Sequence, residues 1–289
     1  MSSTRPDRLW PSSLRELPSW VEASPGFAPL VEALRARRAA TIDGAWHSAA
    51  ALAAATLGLA APRTLLIVLA HPRDLDAWAE DLASFSGLRA LVFPAWDALP
   101  TVDTVLDEIG GQRLRLLRQL ESDAPPRLVL TTMQALLQPV PDRAQLGKQR
   151  KRLRVGQEAG LEALTAWLVE QNFQRMEAVE IPGEFSRRGG ILDVYSPDAE
   201  APFRIEFMGD VIESLRQFAP ETQRSLGDLQ AVEITACGLA FGKGQANAKP
   251  QASAESFRGH LCDYLPTLSW TMLVETGDLV TFESGPVDV

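Results

Sequence analysis

The sequence predicts an α/β fold in which a parallel-sheet domain carries a small, mostly antiparallel α+β domain. Three observations predict it: continuous apolar runs bounded by proline or polar residues, helical patterns between those runs, and short segments of alternating polarity after residue 139. Continuous apolar strands are typical of parallel sheets that are covered on both faces, whereas alternation is typical of strands with one solvated face. A chain of 289 residues is long enough for two or three compact units.

Two helices are expected before the first strand. The first covers Pro25–Arg38 and has basic residues near its C-terminal end, where they favour the helix dipole. The second is alanine-rich and covers Ile42–Ala61, behind a short Asp-Gly turn. The run TLLIVLA at Thr64–Ala70 then predicts a buried strand, and Asp74–Ser86 predicts a helix.

Two further apolar runs, RALVFPAW and RLVLTTMQALL, repeat the buried-strand pattern on either side of a helix expected at Gln112–Glu121. Strands that alternate with helices favour parallel connections within one sheet. A last buried strand is expected at Trp270–Thr276, WTMLVET, and the low-complexity segment Gly242–Ser256 is expected to be an exposed loop.

The pattern changes after Pro139. A basic run, LGKQRKRLRVG, precedes an amphipathic helix that contains Leu161, Leu164 and Leu168. Three strand-like segments follow, GILDVY, FRIEF and VIESLRQF, and the link between the last two is short enough for a hairpin. These segments predict the small α+β domain.

The composition limits the classes of function. The net charge of -9 argues against attraction of the whole surface to DNA or to anionic lipid. Cys237 and Cys262 lack C-x-x-C spacing, which supports neither a disulfide framework nor a zinc site. The sequence shows no signal peptide and no apolar run long enough to span a membrane, so a soluble, cytoplasmic protein is expected.

A nucleotide-binding P-loop would be expected at Gly44–Ala50, GAWHSAA, where the chain turns into a helix. That loop needs several glycines and a lysine for the phosphates, and a hydroxyl for magnesium. This segment has one glycine, no lysine, and Trp46 where backbone must approach phosphate; Ser48 alone supplies the hydroxyl. His47 is interpreted as an exposed turn residue rather than a substitute cation. No bound cofactor and no ATP hydrolysis are therefore expected here.

Other catalytic patterns are weak. Asp107 and Glu108 in VLDEIGG resemble a Walker B acidic pair, but too few apolar residues precede them for a buried strand, which favours a solvated helix start. The three histidines, at 47, 71 and 260, are far apart in sequence, so no metal cluster and no histidine-based triad is predicted. No catalytic residue is predicted.

Two basic segments leave several interpretations open. In GEFSRRGG, the glycines allow a tight turn into a strand, so Arg187 and Arg188 are expected to project from a sheet edge or face. A solvated turn, a protein-binding patch and a nucleic-acid contact all remain open for them, with phosphate disfavoured because no helix N-terminus follows. The run Lys148 to Arg154 fits an edge strand protected by charge as well as it fits a DNA or partner contact. Trp96 and Asp97 are assigned no functional role.

The block GEFSRRGGILDVYSPDAEAPFRIEFMGDVIESLRQFAPETQRS, Gly183–Ser225, resembles a signature shared by the excision-repair subunit UvrB and the N-terminal region of transcription-repair coupling factors (Mfd). FPAWDALP, GQRLRLLRQL and LVETGDL are similar to further segments of this family, so the resemblance covers most of residues 28 to 280. UvrB has an intact P-loop and a tyrosine-rich hairpin. Here the P-loop lysine is absent and the only tyrosines are Tyr195 and Tyr264, which resembles the coupling-factor branch.

The resemblance implies a degenerate RecA/helicase-like α/β domain with an inserted α+β domain that binds UvrA. The implied boundaries are a lead at 1–27, the two halves of the α/β domain at 28–138 and 225–289, and the insertion at 139–224. It also implies that this region is not an enzyme. RNA polymerase and DNA are the implied partners of downstream domains, where an ATP-dependent translocase motor is expected; no membrane partner is expected, and the end at Val289 fits a fragment.

The family positions that contact UvrA match Arg175, Arg188, Glu206 and Phe207. Arg187 is expected to compensate for Ser186, which stands where UvrB has another arginine. Arginines with a planar donor fork beside an acid and an aromatic anchor form a typical protein-binding hot spot. The implied function is the recruitment of UvrA to stalled transcription complexes for nucleotide excision repair. The alternatives are a nucleotide-dependent DNA helicase or excinuclease subunit with an atypical phosphate site, and a direct DNA-binding module.

Overall fold

The computed structural model describes residues 10–97, 108–237 and 259–274. Its α-helices are α1 (Leu17–Glu22), α2 (Phe27–Arg35), α3 (Ser48–Ala60), α4 (Leu75–Ser86), α5 (Glu108–Leu120), α6 (Met133–Leu137), α7 (Arg143–Lys148) and α8 (Leu161–Glu170). Its strands are β1 (Leu65–Leu69), β2 (Leu91–Phe93), β3 (Leu128–Thr132), β4 (Arg150–Arg154), β5 (Gln174–Arg175), β6 (Glu184–Arg188), β7 (Ile191–Val194), β8 (Phe203–Met208), β9 (Val211–Phe218), β10 (Ser225–Asp228), β11 (Ala231–Thr235) and β12 (Trp270–Leu273).

The chain forms two compact units. The first comprises Met1–Val92, Pro125–Met133 and Pro266–Val289, and the second comprises Phe93–Ala124 and Gln134–Leu265. An α/β fold with an inserted, mostly antiparallel domain is thereby confirmed. The domain boundaries expected at residues 28–138, 139–224 and 225–289 stay a prediction; the contacts group α5 with the second unit rather than with the parallel sheet.

The first unit is built on a four-stranded sheet in the order β12-β1-β3-β2. β1 runs parallel to both β12 and β3, with Leu65 opposite Trp270 on one side and Leu128 on the other. All five residues of β1 and all five of β3 are buried. This burial explains why both strands are continuous apolar runs, and it confirms two of the predicted strands.

Helices α2, α3 and α4 pack their apolar side chains into the same core as β1. The alanine-rich helix begins at Ser48, six residues later than expected from the sequence. Gly44 has a φ of 76° and His47 a φ of 47°. Neither backbone conformation is compatible with a right-handed helix, so the helix cannot start before Ser48.

Two strand predictions need correction. RLVLTTMQALL is extended only as far as Thr132, and its last five residues form α6. The last strand, expected to be buried throughout, has only Trp270 buried among its four residues. The reason is its position: within the described ranges, β12 lies at the edge of the sheet and has a single neighbour, β1.

The second unit contains a six-stranded sheet in the order β10-β9-β8-β7-β6-β5. Successive strands from β6 to β10 are antiparallel, and only the short β5 is parallel to its neighbour. The hairpin predicted after FRIEF is confirmed, with Met208 paired to Val211. A separate two-stranded sheet pairs β11 with β4.

Helix α5 anchors the loop that follows β7. Arg115 donates hydrogen bonds to the carbonyl oxygens of Asp198 and Ala199, both at 2.9 Å. The buried Asp198 carboxylate accepts hydrogen bonds from Arg118 at 3.1 Å and from Thr235 at 2.8 Å. These contacts join α5, β11 and the loop into one polar network within the second unit, as buried carboxylates require.

Several expectations fall on residues outside the described ranges: Asp107, the loop at Gly242–Ser256, residues 98–100 of FPAWDALP and residues 275–279 of LVETGDL. Glu108 is described, and it lies exposed in the first turn of α5, which confirms the solvated helix start expected for it. Within the described part of the chain, no helix is long and apolar enough to cross a membrane.

Candidate partner-binding surface

The two glycines of SRRGG form the turn between β6 and β7. Gly189 has a φ of 59°, a conformation that glycine adopts without strain. Because the turn has only two residues, Arg188 and Ile191 are directly opposite one another on adjacent strands. The sequence prediction of a tight turn that leads into a strand is confirmed.

The register of the sheet assigns neighbouring residues to opposite faces. Arg188, Ile191, Glu206 and Ser214 form one row across β6, β7, β8 and β9. The adjacent row contains Arg187, Leu192, Ile205 and Leu215, of which the last three are buried. Successive side chains of a strand point to opposite faces, so the first row lies on one face and the second row on the other. Arg187 and Arg188 therefore do not share a surface.

Arg188 is exposed at the end of its strand. Its Nη2 donates a hydrogen bond to the carbonyl oxygen of Glu177 at 3.1 Å. Glu206, in the same row, is half-buried. It accepts a hydrogen bond from the Ser214 hydroxyl at 2.7 Å and forms an ion pair with Arg216. The structure thus brings Arg188 and Glu206 onto one face with Ile191 between them.

Arg187 is held by a carboxylate of α8. Its Nη1 donates to Oε2 of Glu162 at 2.7 Å and its Nη2 donates to Oε1 at 2.6 Å. The hydrogen bond and charge of Arg187 lower the pKa of Glu162, and the same pair raises the pKa of Arg187. Two parallel hydrogen bonds fix the guanidinium plane, so the positive charge of Arg187 is already compensated within the chain.

Arg175 lies on β5, at the outer edge of the sheet, opposite Phe185 of β6. Its side chain is exposed, and its positive charge contributes to the lowered pKa of Glu162. Phe185 is two residues before Arg187 on β6, so Arg175 lies on the same face of the sheet as Arg187. Cations from two strands and an acid from α8 meet at this edge.

Two other family positions have mainly structural surroundings. Phe207 is half-buried and pairs with Ile212, next to a bulge in which β9 has one extra residue. Ser186 is 2% exposed and donates a hydrogen bond to the Glu177 carbonyl at 2.8 Å. Because Ser186 and Arg188 lie on the face opposite Arg187, Arg187 does not take the position of Ser186. The assignment of Arg175, Arg187, Arg188, Glu206 and Phe207 as partner contacts stays a prediction.

The segment examined as a degenerate P-loop is exposed in the structure. Gly44, Trp46, His47 and Ser48 all lie at the surface, and the Trp46 side chain is 60% exposed. His47 precedes α3, and its carbonyl oxygen accepts hydrogen bonds from Ala50 and Ala51. The interpretation of His47 as an exposed turn residue is confirmed.

The basic run before α8 forms an edge strand. Among the residues that the structure describes, β4 pairs only with β11, and two of its arginines have acidic neighbours: Arg150 donates to Glu121 at 2.5 Å, and Arg152 lies 3.9 Å from Glu233. Lys151 lies over an aromatic ring of α8, with its Nζ 5.0 Å from the ring centroid, and burial lowers its pKa. These contacts favour the edge-strand interpretation of the run over a DNA contact.

The structure also shows residues that sequence reasoning missed. Ile191 is 37% exposed in the row between Arg188 and Glu206, although the other three residues of its strand are buried. Glu162 neutralises Arg187 from a helix that is distant in sequence. The alternation of β6 could have separated the two arginines in advance, but no sequence pattern indicated the partner on α8. Within residues 10–97, 108–237 and 259–274, no group of three histidine, cysteine or acidic residues could hold a metal ion.

Comparisons with known proteins agree with this architecture. The model of the UvrB interaction domain family matches residues 152–237, which contain most of β4 and all the strands from β5 to β11. The transcription-repair-coupling factor of Mycobacterium tuberculosis (strain CDC 1551 / Oshkosh) is 38% identical over 202 residues, which cover 65% of this chain and 16% of the relative.

Two further transcription-repair-coupling factors extend the comparison. That of Myxococcus xanthus is 35% identical over 217 residues, 72% of this chain and 18% of the relative. That of Bacillus subtilis (strain 168) is 31% identical over 157 residues, 54% of this chain and 13% of the relative. The chain therefore spans only 13% to 18% of the length of these three relatives. The family resemblance is confirmed: residues 152–237 match the UvrB interaction domain family, and the chain is similar, over more than half of its length, to transcription-repair-coupling factors.

Proposed function

We propose that this chain is a non-catalytic docking module that binds UvrA and recruits it to stalled transcription complexes during nucleotide excision repair in the cytoplasm. The observation that carries the proposal is the match of residues 152–237 to the UvrB interaction domain family. The same residues form a mostly antiparallel sheet with exposed Arg175 and Arg188. Exposed arginines on a rigid sheet are suitable for oriented ion pairs with a protein partner.

The proposed contact surface is made by the sheet of the second unit. Arg188 and Glu206 provide a cation and an acid on one face, and Arg175 provides a second cation at the β5 edge. Phe207 and Arg187 support the surface from the opposite face, the latter through its pair with Glu162. The remaining length of the coupling-factor relatives is where the resemblance implies an ATP-driven motor, with RNA polymerase and DNA as partners.

A nucleotide-free role is proposed for the first unit. The loop before α3 presents Trp46 and His47 rather than a lysine where a triphosphate would need a cation. The proposal therefore assigns to the parallel sheet the role of a scaffold for the docking domain. A helicase or excinuclease subunit with an unusual phosphate site is the competing function.

Titration of the purified chain with UvrA from the same organism tests the docking function. Saturable binding is expected, and Arg175→Ala or Arg188→Glu should weaken it by at least about 2 kcal/mol if each removes a charged hot-spot contact. Equal binding by the wild type and both variants would contradict the assigned surface. Adding ATP with Mg²⁺ provides the second arm: a raised melting temperature of the chain, or turnover of ATP, would favour the competing nucleotide-dependent function.

A further inference from the structure

The two adjacent arginines of β6 differ in the charge that they offer to a partner. Arg187 makes two hydrogen bonds to the Glu162 carboxylate, so its charge is compensated. Arg188 lies on the opposite face, and among the described residues its recorded hydrogen-bond partner is a neutral carbonyl, that of Glu177 at 3.1 Å. The guanidinium of Arg188 can therefore pair with a carboxylate from another molecule without first losing an internal ion pair.

An exposed apolar side chain lies directly beside Arg188. Ile191 is 37% exposed and is the cross-strand neighbour of Arg188 on one side and of Glu206 on the other. On the same face of β8, Met208 is 67% exposed next to the hairpin turn. We name Arg188, Ile191, Glu206 and Met208 the turn-end patch. Apolar side chains between charged groups have the arrangement of an interface centre with a polar rim.

Farther from the turns, the side chain of β7 on the same face is buried. Asp193, two residues after Ile191, is 3% exposed and is bound by Arg204 through two hydrogen bonds of 2.6 and 2.7 Å. The negative charge of Asp193 is therefore compensated by Arg204 within the sheet. Along β7, the part of this face that a partner can reach is therefore Ile191, next to the turn.

From these observations we infer that Ile191 is a contact residue of the UvrA interface, at the apolar centre of the turn-end patch, with Arg188 as its charged anchor. The surface of UvrA that it fits presents an apolar side chain flanked by a carboxylate, which pairs with Arg188. Glu206 is held by Ser214 and Arg216, so it borders the contact as a fixed acid. The inference rests on the proposed function and adds to it the residue and the chemistry of the contact.

The test measures the dissociation constant of the full chain with purified UvrA for four variants. Ile191→Ala and Arg188→Ala should each raise the dissociation constant about tenfold or more, as expected for residues central to an interface. Leu226→Ala is the matched apolar control, because Leu226 is 62% exposed on β10 of the same sheet and lies outside the patch. Its dissociation constant should stay within about twofold of the wild type, as for a residue outside an interface. Arg187→Ala should weaken binding less than Arg188→Ala does.

The outcomes separate the inference from the function on which it rests. If the wild-type chain does not bind UvrA, the proposed function fails. If the wild type binds and Ile191→Ala binds equally well, or Arg187→Ala weakens binding as much as Arg188→Ala, the inference is overturned while the function stands. A fifth variant, Ile191→Val, keeps the apolar character and should restore most of the affinity lost in Ile191→Ala. Melting temperatures of all five variants identify any loss that comes from unfolding.

Discussion

Arg187 on β6 and Glu162 on α8 are joined by two hydrogen bonds although 25 residues separate them in the sequence. The pair ties the first turn of α8 to the sheet. The Glu162 side chain remains 81% exposed, so solvent and salt weaken the interaction. Its measurable signature is therefore the protonation of the carboxyl group rather than a large change in stability.

We expect the pKa of Glu162 to lie below its usual value of 4.5 and to rise in the variant Arg187→Ala. Because the folded-state pKa is lowered, the pair stabilises the fold above the unfolded pKa, and this contribution is lost as the pH falls through the folded pKa. The carboxyl resonance of Glu162 can be followed by NMR between neutral and acid pH in both proteins. Identical titration curves would show that the pair does not form in solution.

Gly111 on α5 faces the loop after β7. A Cβ atom at this position would lie 2.4 Å from the Pro197 carbonyl oxygen, which belongs to backbone and cannot move aside cheaply. Gly111→Ala should therefore lower the free energy of unfolding by about 1–3 kcal/mol, as overpacking does. Chemical denaturation measures this change.

Gly147 provides the matched control for that substitution. It lies in α7, and no atom comes within 4 Å of a Cβ built there. Gly147→Ala should leave stability unchanged or raise it by up to about 1 kcal/mol, because alanine favours helix. Equal effects of the two substitutions would contradict the close approach of α5 to the loop.

Arg113 is buried in the second unit between Phe93 and Trp96, with its Cζ 4.1 and 4.0 Å from the two ring centroids. The guanidinium donates hydrogen bonds to the carbonyl oxygens of Pro94, Gln138 and Pro139 at 2.8 to 3.3 Å. A lysine lacks the planar fork that reaches several carbonyls and stacks between rings. Arg113→Lys should therefore cost about 2 kcal/mol or more in unfolding free energy.

Arg224→Lys is the corresponding control, since Arg224 is exposed. It should change stability by less than about 0.5 kcal/mol, as surface substitutions usually do. Thermal or urea unfolding of the two variants compares them directly. Similar stability of Arg113→Lys and wild type would contradict the structural role assigned to the buried guanidinium.

Tyr264 is fully buried, and its hydroxyl donates a hydrogen bond to the Pro141 carbonyl at 2.8 Å. Burial, together with the charge of Glu121, raises the pKa of Tyr264, and burial likewise raises the pKa of Tyr195. The folded state thus favours the neutral phenols. This contribution is complete below the unfolded pKa near 10 and is lost as the pH rises above it.

The sequence has only these two tyrosines, so ultraviolet absorbance during alkaline titration reports them directly. Phenolate formation in the native chain should occur at higher pH than in urea. Tyr264→Phe should remove the half of the absorbance change that occurs at the higher pH. The same variant should cost about 1 kcal/mol at neutral pH through the lost hydrogen bond. Coincident native and denatured titrations would show that Tyr264 is not enclosed.

The sequence predicted the parallel core well because each strand there is defined by its own residues. β1 and β3 are buried on both faces, and burial of that kind leaves a continuous apolar run. The burial of WTMLVET was predicted less well, since local composition does not reveal whether a strand has one neighbour or two. MQALL similarly continues an apolar run but is helical, and apolar runs this short do not distinguish the two structures.

The candidate surface was predictable in its residue types but not in its arrangement. SRRGG indicated arginines that project from the sheet and a tight turn; the turn is present, and Arg188 is exposed, whereas Arg187 is partly buried against Glu162. The register of β6 against β7 sets the two arginines on opposite faces, and α8 supplies the acid that pairs with Arg187. Those are long-range relationships, and no local pattern around Arg187 or Glu162 encodes them.

Because only two glycines join β6 to β7, the number of residues in β6 determines the face of the sheet on which each arginine lies. One residue added to β6 before Arg187, with the register of the preceding residues unchanged, would turn both arginines to the opposite faces of the sheet, so that Arg187 would point away from Glu162. Each arginine would then lie on the face that the other occupies now. We therefore expect homologous domains to vary more readily in the residues that surround this strand than in the number of residues it contains, because an insertion here would also turn buried side chains of β6 or β7 away from the core.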